Sequence, residues 1–220
     1  MTNFWQKLIL NNFDKAAKEY NAFAEIQKIT SVELAQQCYN QSIENGIWVD
    51  LGSGTGLLAE SLEALHPNQS VIRVDISSKM IGQNPEQSHK TIWDLNTGLP
   101  NWSQPPNLLA SSFALHWLNE PEKRLKEWFN ALSPGGWIAL AVPVQGSFPE
   151  WYKAADKANV KCTANKFPSA SSLLDVIDSK SLRYQKLEVF KQKASTITSL
   201  LKPIVKTGAQ SSLKKSLSVA

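Results

Sequence analysis

Ten residues, Ile47 to Gly56, constrain this chain more than any other stretch: I-W-V-D-L-G-S-G-T-G. The apolar run Ile47, Trp48, Val49 leads through Asp50 and Leu51 into glycines at alternate positions, Gly52, Gly54 and Gly56. A helical pattern over 57–66 follows at once. The spacing predicts a strand, a tight turn and a helix whose first N–H groups face a ligand. A Cβ in that turn would obstruct both the bend and a ligand's approach to the backbone.

Downstream, short apolar runs alternate with helical patterns. Strands are predicted over 70–76, 90–93, 108–111 and 137–142, with a short helix near 79–81 behind Ser77 and another over 120–132 that Ser133-Pro134-Gly135-Gly136 ends. Alternation of this kind predicts an α/β fold, a mostly parallel central sheet with helices on both faces. Residues 4–45 read as helical, with Phe13, Ala16, Ala17, Tyr20, Phe23, Ala24 and Gln27 at three- and four-residue spacing and a second helix over 29–39. Lying ahead of the first strand, this segment is expected to pack on the sheet or to form a lid. After Gly146 the pattern predicts helices over 150–159 and 169–179, a strand over 184–191, and a helix over 195–207 interrupted at Pro203. The 220 residues fit a single domain: a helical lid over 1–45, a ligand-binding core over 47–145 and a basic segment over 146–220.

The net charge of +4 is unevenly spread. From Lys180 onward there are nine Lys or Arg against one acid, Glu188, so the rest of the chain is net acidic. A basic third of this kind suits an acidic partner; a solvated helix face with a loose tail is the alternative. Cys38 and Cys162 have no paired spacing, and His66, His89 and His116 are scattered, so no metal site is expected and a reducing, cytoplasmic compartment is. No apolar run approaches the roughly 18 residues of a membrane span, and the N-terminus lacks the marks of a signal peptide.

Two ligands compete for the glycine turn. A dinucleotide site wants G-x-G-x-x-G, with a pyrophosphate on the helix; here the spacing is G-x-G-x-G, and Asp50 stands two residues before the first glycine. An acid there suits a positively charged ligand, and S-adenosylmethionine has an amino group and a sulfonium but no phosphate. Asp75, at the end of the second strand, is placed to accept from both ribose hydroxyls. Asp94, with the Leu95 N–H as neighbour, is placed to meet an adenine amino group; the competing role is an Asx turn into Asn96-Thr97-Gly98. Ser53, Ile76 and Ser111 complete the expected donor set with Gly52, Gly54 and Gly56.

With D-L-G-S-G-T-G as its first motif, the chain resembles the Rossmann-like class I S-adenosylmethionine-dependent methyltransferases. The segments at 12–27 (N-F-D-K-A-A-K-E-Y-N-A-F-A-E-I-Q), 111–118 (S-S-F-A-L-H-W-L), 132–136 (L-S-P-G-G), 144–150 (V-Q-G-S-F-P-E) and 164–168 (A-N-K-F-P) are similar to the malonyl-acyl-carrier-protein O-methyltransferase family of biotin synthesis. The resemblance runs from about residue 11 to 212. It implies methylation of the free carboxyl of a malonyl thioester borne by an acidic acyl carrier protein, in a monomer with no nucleic-acid or membrane partner. It also implies a further helix and an antiparallel strand beyond residue 220, without which one strand would present an open edge. Asn107 and Ser112 stand where the family usually has Asp and Asn.

A carboxylate with a pKa near ~4 is ionised at neutral pH and needs no general base. Positioning groups are needed instead. The candidates are Tyr20 in the lid, His116 and Trp117 after the fourth strand, Gln145 after the fifth, and Lys166, with Tyr20 and Trp117 able to turn π faces to a sulfonium. The basic 180–215 segment, with Lys123, Arg124 and Lys126, is the expected docking surface for the carrier.

Overall fold

The computed structural model describes residues 4–210. Its centre is a five-stranded, wholly parallel sheet of order β3-β2-β1-β4-β5, built from β1 (Trp48–Leu51), β2 (Val71–Asp75), β3 (Lys90–Ile92), β4 (Leu108–Ser112) and β5 (Trp137–Ala141). β1 is buried throughout, which is why its sequence is a nearly unbroken apolar run. The period of two still sorts its side chains. Trp48 packs with α3 (Glu25–Tyr39) and α4 (Leu57–Leu65) through Ala35, Cys38, Leu58 and Leu62, while Val49 and Leu51 face Leu125 and Trp128 of α6 (Pro121–Ala131). Helices therefore cover both faces, as the alternating pattern predicts.

Arg73 of β2 is 1% exposed on the α4 side, where Glu63 of α4 holds its guanidinium at 2.9 and 2.7 Å. Its Nε donates to Asn84 Oδ1 at 2.9 Å, beside α5 (Ser78–Ile81). The chain leaves β1 towards β2 and β3 but β4 towards β5, so the connections diverge between β1 and β4. In a parallel sheet that switch point opens a crevice at the strands' C-terminal ends.

Several expectations need correction. The N-terminal helical segment is three helices, α1 (Phe4–Ala16), α2 (Tyr20–Phe23) and α3: a turn over 17–19 parts the first two, and Ala24, at φ −90°, ψ 48°, parts α2 from α3. The helix expected over 169–179 shortens to α8 (Ala170–Leu174), capped by Ser169. The last helix, α9 (Ile197–Lys206), starts at a Thr196 capping box and runs through Pro203. Most importantly, 184–191 is not a strand. Its side chains alternate, but it is exposed throughout and pairs with no strand among the described residues, and alternation without a partner makes no ladder. The other elements fall within two residues of expectation, α7 (Pro149–Lys157) among them.

Candidate functional site

The crevice is a pocket where the ends of β1 to β4 meet the N-terminal helices. The turn after β1 is pinned from below, since the N–H groups of Gly52 and Ser53 both donate to Val74 O, at 2.8 and 3.0 Å. Gly54 has φ +55°, and a Cβ built on it would meet no protein atom within 4 Å. Gly54 is also a lining residue, so such a Cβ would enter the pocket. Gly56, the N-cap of α4 at φ +92°, has the opposite constraint: a Cβ there would overlap the side-chain oxygen of Asn84. One glycine thus serves the pocket and the other the network beneath it.

Among the described residues, three carboxylates line the pocket and no Lys, Arg or His does. Asp50 is 1% exposed and accepts from the Ala59 N–H in the first turn of α4 at 3.1 Å. Burial pushes its carboxyl up to about 7, against the pull of that N–H and of Arg73. Asp75 accepts from Ser77 N at 2.7 Å through Oδ1 and from Gly54 N at 2.8 Å through Oδ2, so each oxygen keeps a lone pair for a ligand. Burial raises its pKa above the ordinary carboxylate value, opposed by those two N–H groups. Asp94 makes the Asx turn, its Oδ1 accepting from Asn96 N and Nδ2 at 2.9 and 3.0 Å, and it lines the pocket as well. The turn occupies only Oδ1 and leaves Oδ2 without a bond in it.

The N-terminal helices close the top. Gln6, Ile9, Leu10 and Phe13 of α1 reach the pocket at helical spacing, and Tyr20 of α2 joins them. Two polar contacts fasten this cover: Thr55 Oγ1 donates to Asn21 Oδ1 at 2.6 Å, and Ser77 Oγ donates to Asp14 Oδ1 at 2.5 Å. An aromatic contact fastens it too, Phe13 standing edge-on to Trp117 at 5.6 Å and 88°. Burial and the nearby Asp75 raise the Tyr20 pKa above its ordinary value, so its phenol is neutral.

The expected site residues divide as follows. Asp50, Gly52, Ser53, Gly54, Asp75, Ile76, Asp94, Leu95, Tyr20 and Trp117 line the pocket; Gly56 sits one step outside it as the helix cap. Ser111 does not reach the cavity, because its buried hydroxyl donates back to Leu51 O at 2.7 Å; Ser112 takes its place on the wall. The exchange arises because Phe113, at φ +55°, turns the chain immediately after β4. The hydroxyls of Ser53 and Ser112 are buried and have no hydrogen-bond partner in the protein, leaving two polar atoms for a ligand. His116 lies behind Trp117, ring centroids 4.9 Å apart, its Nδ1 buried and unpartnered, and burial drives its pKa down to about 3. Gln145 and Lys166 are exposed and lie outside the cavity. The α1 stripe escaped site assignment because nothing local marks a lid's apolar face as ligand-facing; its periodicity was the available signal.

An acidic, cation-free cavity beside a glycine turn repels phosphates and fits a cationic ligand rich in hydroxyls. The family model described as "Methyltransferase domain" matches residues 49–140, the stretch that builds this cavity. Over that stretch the chain is similar to a methyltransferase domain. The acidic lining suits S-adenosylmethionine as a ligand, a cation without phosphate. The chain is 28% identical over 202 residues to a malonyl-[acyl-carrier protein] O-methyltransferase of Marinomonas sp. (strain MWYL1), spanning 88% of this chain and 71% of that protein. It is 32% identical over 131 residues to a trans-aconitate 2-methyltransferase of Mycobacterium tuberculosis (strain ATCC 25177 / H37Ra), spanning 58% of this chain but 46% of that one. A solved DhpI-SAM-HEP complex has the same fold, with a TM-score of 0.58 at 16% identity, over 80% of this chain and 88% of that one. Among the described residues no helix is long and apolar enough to cross a membrane, and no group of His, Cys, Asp or Glu is placed to hold a metal ion.

Proposed function

We propose that the chain transfers the methyl group of S-adenosylmethionine to the free carboxylate of malonyl-acyl-carrier protein, the esterification used in biotin synthesis. The observation that carries this reading is the acidic cavity, which no Lys, Arg or His lines among the described residues, and a carboxylate acceptor needs no general base. The donor supplies an electrophilic methyl on a sulfonium, and a carboxylate oxygen displaces the thioether with no proton transferred. What the protein must do is hold, align and exclude water. Asp50 meets the donor's amino group, the free lone pairs of Asp75 meet the ribose hydroxyls, and Asp94 with the Leu95 N–H meets the adenine. Gly54 lets the donor approach, while Ile76 and Ser112 complete the wall. Tyr20 and Trp117 turn polarizable faces to the sulfonium. His116, neutral at working pH, sets the rear of the acceptor side through Trp117, and Gln145 and Lys166 stand at its rim.

The layout that goes with this is one domain: a lid over 1–45, the donor core over 47–145 and an acceptor segment over 146–220. It works as a cytoplasmic monomer with no nucleic-acid or membrane partner. Similarity to the Marinomonas enzyme across 88% of the chain supports the carrier-bound acceptor; the mycobacterial match, over 58%, supports a small free polycarboxylate instead. Incubation with labelled donor separates them. Label appearing in the malonyl group of the carrier protein is the expected result. Label entering trans-aconitate alone, or no acceptor, would refute the assignment.

A further inference from the structure

α7 stands apart from the rest of the fold. Every residue of it except Ala155 is exposed, including Trp151 and Tyr152, although its sequence has a clear apolar side. It emerges past the C-terminal end of β5, the side of the sheet where the pocket opens. The loop after it folds back: Tyr152 Oη donates to Asn165 O at 3.3 Å, and Gln145 N donates to Pro168 O at 2.8 Å. Phe148, its N-cap, lies 6.2 Å from Phe167, which lies 5.4 Å from His116, which packs on the pocket-wall Trp117. A continuous aromatic row thus joins the base of α7 to the donor pocket.

The surface has a chemical sign. Lys153, Lys157, Lys161 and Lys166 are all exposed and form no salt bridge among the described residues, while residues 147–168 hold two acids, Glu150 and Asp156. The expected docking surface is partly neutralised: Lys180, Arg183, Lys191 and Lys193 are exposed and form no salt bridge among the described residues, but others are held. Lys186 is bound to Glu33 and Glu188 at 2.6 and 3.1 Å, and Lys206 to Glu19 at 2.6 Å. Lys202 and Lys206 lie over the Phe23 ring, and Arg124 is held by Glu127. Lys214 and Lys215 lie outside the described residues. The anchor of the 182–195 stretch is Glu33 on α3, whereas α7 is tied to the pocket wall.

We infer that α7 and the 158–168 loop are the docking face for the acidic acyl carrier protein, resting on the carrier-bound acceptor proposed above. Exposed Trp151 and Tyr152 supply apolar contact, and the four lysines supply steering and register. The carrier's prosthetic arm then runs along the Phe148–Phe167–His116 row towards Trp117.

The test compares malonyl-acyl-carrier protein with malonyl-coenzyme A as acceptors, for the wild type, K153E/K157E, Trp151→Ala and K191E/K193E. K153E/K157E and Trp151→Ala should each raise KM for the carrier substrate about tenfold and leave KM for the coenzyme A thioester unchanged. K191E/K193E should behave as wild type. An unchanged carrier KM in K153E/K157E, an equal rise for both acceptors, or an effect confined to K191E/K193E overturns the docking face. Carrier binding is measured separately by calorimetry. If no thioester is methylated but the carrier binds wild type and not K153E/K157E, the docking face stands and the acceptor assignment fails. If the carrier does not bind wild type, the docking face is wrong even where malonyl-coenzyme A is methylated.

Discussion

Adding one methyl to Gly54 and one to Gly56 separates the pocket from its foundation. Both residues have positive φ, +55° and +92°, so alanine at either carries a left-handed backbone cost of about 1–2 kcal/mol. At Gly54 nothing in the protein is displaced, and that cost is the whole stability effect. For a chain of this size it lowers Tm by about 2–8 °C. At Gly56 the new Cβ must push Asn84 aside. Asn84 accepts from Arg73 Nε at 2.9 Å and donates to Gly54 O at 3.0 Å and Ile81 O at 3.1 Å, all in a buried setting. Losing two of these bonds adds about 2–3 kcal/mol, for a total near 3–5 kcal/mol and a Tm drop of about 6–20 °C. Donor affinity should show the reverse order. Gly54→Ala puts its methyl where the proposed donor would lie and should weaken binding about a hundredfold or more, as misplacing a close contact does. Differential scanning calorimetry with and without S-adenosylmethionine, and titration calorimetry of the donor, read both quantities. If Gly54→Ala binds the donor as wild type does, the pocket has been assigned to the wrong ligand surface. If Gly56→Ala is no less stable than Gly54→Ala, the Asn84 argument fails.

Asp75→Ala removes the acceptor for two turn N–H groups as well as the proposed ribose contact, and donor affinity should fall about a hundredfold by calorimetry. Asp50, pushed up to about 7 in the empty pocket, makes donor binding pH-dependent: a cationic ligand favours the ionised carboxylate, so binding releases a proton. Affinity should therefore rise with pH through 7 and level off above it, by at most about tenfold per pH unit, and calorimetry in buffers of different ionisation enthalpy should detect the released proton. The same raised pKa favours the folded state at low pH, and that contribution fades as pH climbs from about 4 to about 7. Glu63 works in the opposite direction. Burial pushes its pKa up, but Arg73 and the Val71 N–H outweigh this and hold it below 4.5, so its stabilisation is lost as pH falls below that value. Glu63→Ala, which strands the buried Arg73, should cost about 3–5 kcal/mol in denaturant unfolding, whereas Glu63→Gln retains an acceptor and should cost less.

Much of this molecule could be read along the chain. Ile47 to Gly56 specifies its strand, turn and helix because each part is local: an apolar run, positive φ values that favour glycine, and a helical stripe that begins without a gap. The alternation after it gives the parallel sheet, since parallel neighbours need a covered crossover. Asp50, Asp75 and Asp94 were identifiable because each stands at or near the C-terminal end of a strand, where such sheets gather their ligands. Where expectation and structure part, contacts between distant segments decide. Residues 184–191 have a strand's alternation but find no partner. Ser111 yields to Ser112 because a hydrogen bond to Leu51 turns the hydroxyl inward. The lid's pocket-facing stripe, from Gln6 to Phe13, takes its meaning from Trp117, more than a hundred residues away. Charge is divided in the same way. The sequence determined that the C-terminal part is basic, but only the tertiary structure decided which lysines are neutralised against Glu19 and Glu33 and which remain exposed around α7. The reason is that an ion pair depends on distance in space, which composition does not carry.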